Sequence, residues 1–157
     1  MGVHSTREIR STEPARPGDG RILAIDYGRR RIGLAISDAL RWTARPLATL
    51  ERKGRAEQLK RLREIVREHG VSRIIVGHPL RIDGTAGGMA EETERFARRL
   101  EQALGLPVEL VDERLTSWAA HDWLAAHPES GRGCSDDEIA AAILLEEYLG
   151  RNRESGG

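Results

Sequence analysis

Two strand-like runs, RILAIDY (Arg21–Tyr27) and RIGLAIS (Arg31–Ser37), are separated only by Gly28, Arg29 and Arg30. A link this short cannot carry a crossover, so the two must fold back as an antiparallel hairpin. In the second run Ile32, Leu34 and Ile36 alternate with Gly33, Ala35 and Ser37, the period of a pleated strand. A third strand is expected over Ala44–Leu50, with Pro46 placing it at a sheet edge or at a strand start. The period then changes. Leu59, Leu62, Ile65, Val66 and His69 recur at helical spacing, and Gly70 stops that helix.

Strands and helices alternate from there on. VSRIIVG (Val71–Gly77) is a β-branched strand, Met89–Leu104 a helix with Met89, Phe96, Leu100 and Leu104 facing inward, and LPVELVD a fifth strand. Leu115–His127 reads as a third helix ended by Pro128, and Asp136–Leu149 as a last one. Three consecutive strands followed by alternation describe an α/β fold with a mixed five-stranded sheet, its first three strands antiparallel and strands one, four and five parallel through right-handed crossovers. Residues 1–20 and 151–157 are polar and aperiodic and are expected to be disordered tails around one domain at 21–150.

The 157 residues suit a single domain, with 39% hydrophobic and 32% charged residues. Basic and acidic residues both number 25, so net charge favours neither a nucleic-acid nor a membrane partner, although a local patch can still supply a field. The one cysteine, Cys134, rules out an intrachain disulfide and argues against a thiolate cluster. No run approaches the roughly 18 apolar residues of a membrane span, and the N-terminus has no secretory apolar region. The expectation is a cytoplasmic protein with no membrane partner, as a monomer or homodimer.

In parallel sheets ligands bind beyond the carboxyl ends of the strands, where connections diverge. Asp26 ends the first strand there, Gly77 and His78 the fourth, and Asp112 and Glu113 the fifth. The last helix opens with Ser135-x-x-Glu138, a capping-box spacing, with Asp136 and Asp137 in its first turn. If that helix packs across the end of the first strand, Asp137 approaches Asp26. Each acid also has a plain structural reading. Asp26 can cap the following turn, Asp112-Glu113-Arg114 can be a solvated ion-pair cluster, and acids in a first helical turn complement the dipole. Gathered together, three carboxylates cannot all stay ionised without cations. Hard divalent ions such as Mg²⁺ take oxygen ligands, and a pair of them can activate water and stabilise the leaving oxygen of a phosphodiester.

Four blocks, AIDYGRRRIGLAISD, IIVGHPLRIDGTAG, PVELVDERLTSWAA and DDEIAAAILLEEYL, resemble, in order and spacing, those of the YqgF (RuvX) family. The resemblance spans about Arg21 to Gly150, and its VDERLTS block following a GxPL…DG loop is the most specific part. It implies an RNase H-like fold related to the junction resolvase RuvC. It also implies a Mg²⁺- or Mn²⁺-dependent endonuclease linked to trimming the 5′ end of pre-16S ribosomal RNA. Carried over by motif, the catalytic and metal-binding acids are Asp26, Glu113 and Asp137, with Asp136 the alternative if the register slips by one. Two positions depart from the family pattern. His78 and Arg81 stand where related sequences commonly read Leu and Asn, and Arg132 stands where a lysine is common.

Nucleic-acid contacts are expected at Gly28, Arg29, Arg31, His78, Arg114, Thr116 and Ser117. The arginine run can meet phosphates, the main source of nucleic-acid affinity, or can be a solvated turn. Alternation sends Arg30 to the face opposite Arg29 and Arg31. Gly28 is expected at positive φ in the hairpin, and Gly77 to let a neighbour approach closely. His78 can be a base, a phosphate contact or a loop histidine. Thr116 can cap the third helix, whose first-turn N–H groups also suit a phosphate. Trp118 and Trp123 read as packing residues. The basic residues around the first long helix, among them Arg52, Lys53, Arg55 and Arg63, offer a face that extends beyond the cleft. The alternatives to an RNA-processing nuclease are a junction-specific DNase and a non-catalytic RNA- or transcription-associated module. An actin-like ATPase lacks room for its second lobe.

Overall fold

The computed structural model describes residues 20–79, 87–113, 120–129 and 131–156. The elements are β1 (Arg21–Tyr27), β2 (Arg31–Ser37), β3 (Ala44–Glu51), α1 (Arg55–His69), β4 (Val71–His78), α2 (Gly88–Leu104), β5 (Val108–Asp112), α3 (Ala120–Ala126) and α4 (Asp136–Gly156). They form one five-stranded sheet in the order β3-β2-β1-β4-β5. β1–β2 and β2–β3 are antiparallel, and β1–β4 and β4–β5 are parallel, as the strand and link lengths predict. β3 lies at the edge, with Pro46 opposite Ala35 beside a register shift, so its missing N–H costs no central ladder bond.

Strand alternation divides the molecule into two cores. Ile22, Ala24, Ala35, Ile75 and Val111 face α4, where Ile139, Ala142, Ile143 and Leu145 pack with Trp123 of α3. Leu23, Ile25, Tyr27, Leu34, Ile36, Ile74 and Val76 face α1 and α2, against Leu62, Ile65, Phe96 and Leu100. Each fully buried aliphatic side chain contributes about 1.5–3 kcal/mol relative to exposure. Ala141 and Ala142 are fully buried and let α4 lie close over the central strands. Met89 and Leu104 of α2 are only partly buried against the second core.

Three expectations are corrected. α4 runs on to Gly156 instead of ending at Leu149, because Arg151–Ser155 contains no proline and arginines near a helix C-terminus are favourable. Gly28 does not take a positive φ. What it requires is space, since a Cβ there would sit 2.7 Å from the Arg31 carbonyl, which accepts the Gly28 N–H at 3.0 Å across the hairpin. β5 begins at Val108 rather than Leu106; Pro107 has no N–H, although its carbonyl accepts from Ile74 at 3.0 Å.

Candidate active site

The alternation that buries Ile22 and Ala24 under α4 also turns Asp26 toward that face. By the same parity, Arg31 and Gly33 of β2, Gly77 of β4 and Glu113 just beyond β5 belong to it. Asp26 pairs with Gly33 across the hairpin. A Cβ on Gly33 would collide with the carbonyl of Asp137, so only glycine lets the first turn of α4 come down beside Asp26. A Cβ on Gly77 would collide with the Glu113 carboxylate Oε2 and lie 3.3 Å from Leu144. Gly77 is therefore the floor on which Glu113 rests, a close approach of a side chain rather than of a backbone.

The helix end is fastened to the sheet edge. Ser135 accepts the Glu138 N–H at 3.2 Å, the N-cap half of the expected capping box, while its hydroxyl rather than its backbone N–H faces the Glu138 carboxylate at 3.4 Å. Thr49 of β3, opposite Gly33, lies 2.5 Å from the Ser135 hydroxyl and donates to Glu138 at 2.9 Å. A cap that satisfies the helix end thus also fixes where Asp137 stands.

Asp26 and Glu113 hydrogen-bond each other. Burial pushes the Glu113 carboxyl up to about 8, helped by the Asp26 charge, by the hydrogen bond it donates to Asp26 and by the nearby Asp112. Burial likewise raises Asp26. The Glu113 hydrogen bond opposes that rise and the Asp137 charge adds to it. Glu113 is therefore the partner that holds the proton. Asp137 turns the other way, its carboxylate 3.3 Å from Nε of the exposed Arg31.

This donor set suits a hard divalent cation. Two carboxyls in contact, both held above their usual range by burial, gain from a positive charge placed between them. Asp26, Glu113 and Asp137 stand at the same end of the sheet, although among the described residues no three such side chains already close on one point as a finished ligand group. Asp136 lies beside Asp137 in the same turn, but the contacts with Gly33 and Arg31 belong to Asp137.

Other expected contacts separate. Arg29 is exposed at the hairpin and lines a hollow with Arg52, Met89 and Glu92, away from the Arg31–Asp137 pair. The expected placing of Arg29 and Arg31 on one face is therefore corrected: the turn breaks the strand alternation. His78 ends β4 opposite Asp112, and its Nε2 lies 2.8 Å from the Glu94 carboxylate of α2. Arg114, Thr116 and Ser117 lie outside the described residues, as do Arg81 and Trp118. Trp123 is buried, donates to Glu146 at 3.1 Å and stacks on His127, a packing role. Two contributors do not stand out in the sequence as site residues: Gly33, which lies within the AIDYGRRRIGLAISD block but shows its part only through its register with Asp26, and Thr49, readable only once β3 is paired.

The RuvX family profile, described as Holliday junction resolvase, matches residues 20–151. The chain belongs to the RuvX family. Among RuvX relatives, a protein of Anaeromyxobacter dehalogenans (strain 2CP-C), named "Putative pre-16S rRNA nuclease", is 48% identical over 134 residues, covering 83% of this chain and 97% of that protein. One of the same name from Moorella thermoacetica is 41% identical over 138 residues, covering 87% and 99%. The RuvX fold is that of RuvC: the Thermus thermophilus RuvC structure aligns with a TM-score of 0.54 at 16% identity, over 85% of this chain and 96% of that one. The mixed sheet expected from the strand order and the RNase H-like architecture implied by the family resemblance are therefore both present.

Proposed function

We propose that this chain is a divalent-metal-dependent endonuclease that hydrolyses phosphodiesters of structured nucleic acid, with the 5′ end of pre-16S rRNA as its substrate. The observation that carries the reading is the Asp26–Glu113 carboxyl pair at the ends of two parallel strands, with Asp137 brought beside it over Gly33. The names of the curated relatives support the choice of RNA.

Asp26, Glu113 and Asp137 would hold the metal. Mg²⁺ or Mn²⁺ bound there supplies an activated water and charge stabilisation at the leaving oxygen. The chain's own residues do the rest. Asp26 and Glu113, which share a proton through their hydrogen bond, would offer their carboxylates to a cation in its place. Arg31, released from Asp137, has an exposed guanidinium to offer a phosphate. Arg29, Gly28 and His78 flank the same strand ends and are assigned to substrate contact, with Arg114, Thr116 and Ser117 following Glu113 in sequence.

Purified Asp26→Asn, Glu113→Gln and Asp137→Asn variants are each expected to lose at least roughly a hundredfold in cleavage of a pre-16S 5′-leader RNA in Mg²⁺ or Mn²⁺, while melting cooperatively. Full activity in any two of them would remove the shared site. The family description and the RuvC fold favour one second reading, a junction-specific DNase. Offering the same preparations a four-way DNA junction decides between the two substrates. The site is assigned to a cytoplasmic protein; among the described residues no helix is long and apolar enough to cross a membrane.

A further inference from the structure

On the face of the sheet opposite the acids, beyond Tyr27, lies a cavity of about 440 Å³ between the start of α1 and the side of α2. Five of its nine lining residues are basic (Arg52, Lys53, Arg55, Arg95 and Arg99), against the single acid Glu92. That acid is already committed. Arg52 bridges it at 2.8 Å and the Tyr27 hydroxyl donates to it at 3.1 Å.

Arg52 is also structural. It donates to the carbonyls of Gly28 and Arg29 at 3.0 and 3.1 Å and lies 4.5 Å over the Tyr27 ring. Tyr27 in turn stacks on Phe96, with centroids 4.1 Å apart. The floor is therefore rigid and its aromatic ring is covered. The other charges are Lys53, paired with the exposed Glu51 at 3.3 Å, Arg95, whose charge helps hold Glu92 ionised, and Arg55 and Arg99. Arg55, Arg95 and Arg99 form no ion pair within 4 Å among the described residues. Arg95 and Arg99 stand one helical turn apart on α2, so they project on the same side.

A second hollow, lined by Arg29, Arg52, Gly88, Met89 and Glu92, shares Arg52 and Glu92 with the first. It carries the groove round to the hairpin that follows Asp26. A positively charged track that starts at the hairpin following Asp26 and runs along the opposite face, with no free ring among its lining residues for a base to stack on, fits a sugar–phosphate backbone read without regard to sequence.

We propose that this groove holds the phosphodiester backbone of a nucleic-acid segment flanking the cleaved one, gripped by Arg95, Arg99, Arg55 and Lys53. The proposal rests on the nuclease reading and extends it to a second contact surface on the other face of the sheet.

The test is fluorescence anisotropy of a labelled RNA hairpin with single-stranded flanks. Binding is measured with full-length protein in chelator, at salt from about 50 to 200 mM. The proteins are the parent, Arg95→Gln/Arg99→Gln and Arg95→Lys/Arg99→Lys, each checked by thermal melting. If the groove grips backbone, the Gln pair weakens binding roughly tenfold at about 0.1 M salt and lowers the slope of log K against log salt by about 1.4–1.8. The Lys pair keeps the parent slope, and a scrambled stem binds equally well.

Unchanged affinity and slope in the Gln pair overturn the groove, and the nuclease reading survives if the parent still cuts RNA in Mg²⁺. A parent that neither binds nor cuts any RNA or DNA overturns both. Inorganic phosphate binding that is lost in the Gln pair, with RNA affinity untouched, makes a small anion the occupant and overturns the backbone assignment.

Discussion

Burial, the Asp26 charge and their shared hydrogen bond keep a proton on Glu113 up to about pH 8. In the unfolded chain the same group ionises near its ordinary value of 4.5. Between those two values the folded state binds a proton that the unfolded state has released, so this group's contribution to stability falls as pH rises through the window. Glu113→Gln keeps the shape and an N–H donor for Asp26 while removing the ionisation. In chelator the variant is expected to match the parent below pH about 4.5 and to exceed it increasingly up to about 8. The gain there is on the order of a few kcal/mol. Urea melts at several pH values measure it, and a gap that does not grow with pH would contradict a proton resident on Glu113.

At the scale of elements, the site depends on how closely α4 approaches β2. Gly33→Ala places a methyl group against the Asp137 carbonyl, so the helix end must lift or the strand must shift. Overpacking of this kind costs about 1–3 kcal/mol. The further expectation is a loss of cleavage larger than the stability change accounts for, because the lift carries Asp137 away from Asp26. A variant that melts early but cuts at the parental rate would sink that link. Much of this scale was legible in the sequence. The hairpin, the edge position of β3, the parallel trio and the Ser135–Glu138 box follow from link length, Pro46, period and capping chemistry. The candidate site was legible as a proposal of three acids at strand and helix ends. The partners of those acids were not, since Gly33 and Thr49 act through register, which is a property of two strands together. The end of α4 was misread because local composition at 151–156 is polar, while the helix itself needs only continuity with the packed turns before it.

At the scale of the whole molecule, folding gathers carboxylates whose mutual repulsion a bound cation would relieve. A ligand that binds only the folded state stabilises it by mass action, about 2.7 kcal/mol at a hundred times its Kd. For a chain of this size that is about 5–10 °C in Tm. Mg²⁺ or Mn²⁺ is expected to raise the melting temperature of the parent and to leave Asp26→Asn unmoved, read by differential scanning calorimetry. An equal rise in both proteins would place the ion elsewhere.

Asp26 and Tyr27 are neighbours in one strand, yet alternation sends one to the acids under α4 and the other to the floor of the basic groove. The sheet itself then serves as a ruler. A backbone held on the arginine side and cut on the acid side must bend round the same strand end each time. The interval between the held and the cleaved phosphates becomes a constant of the fold, and it would reappear as a fixed offset in the products.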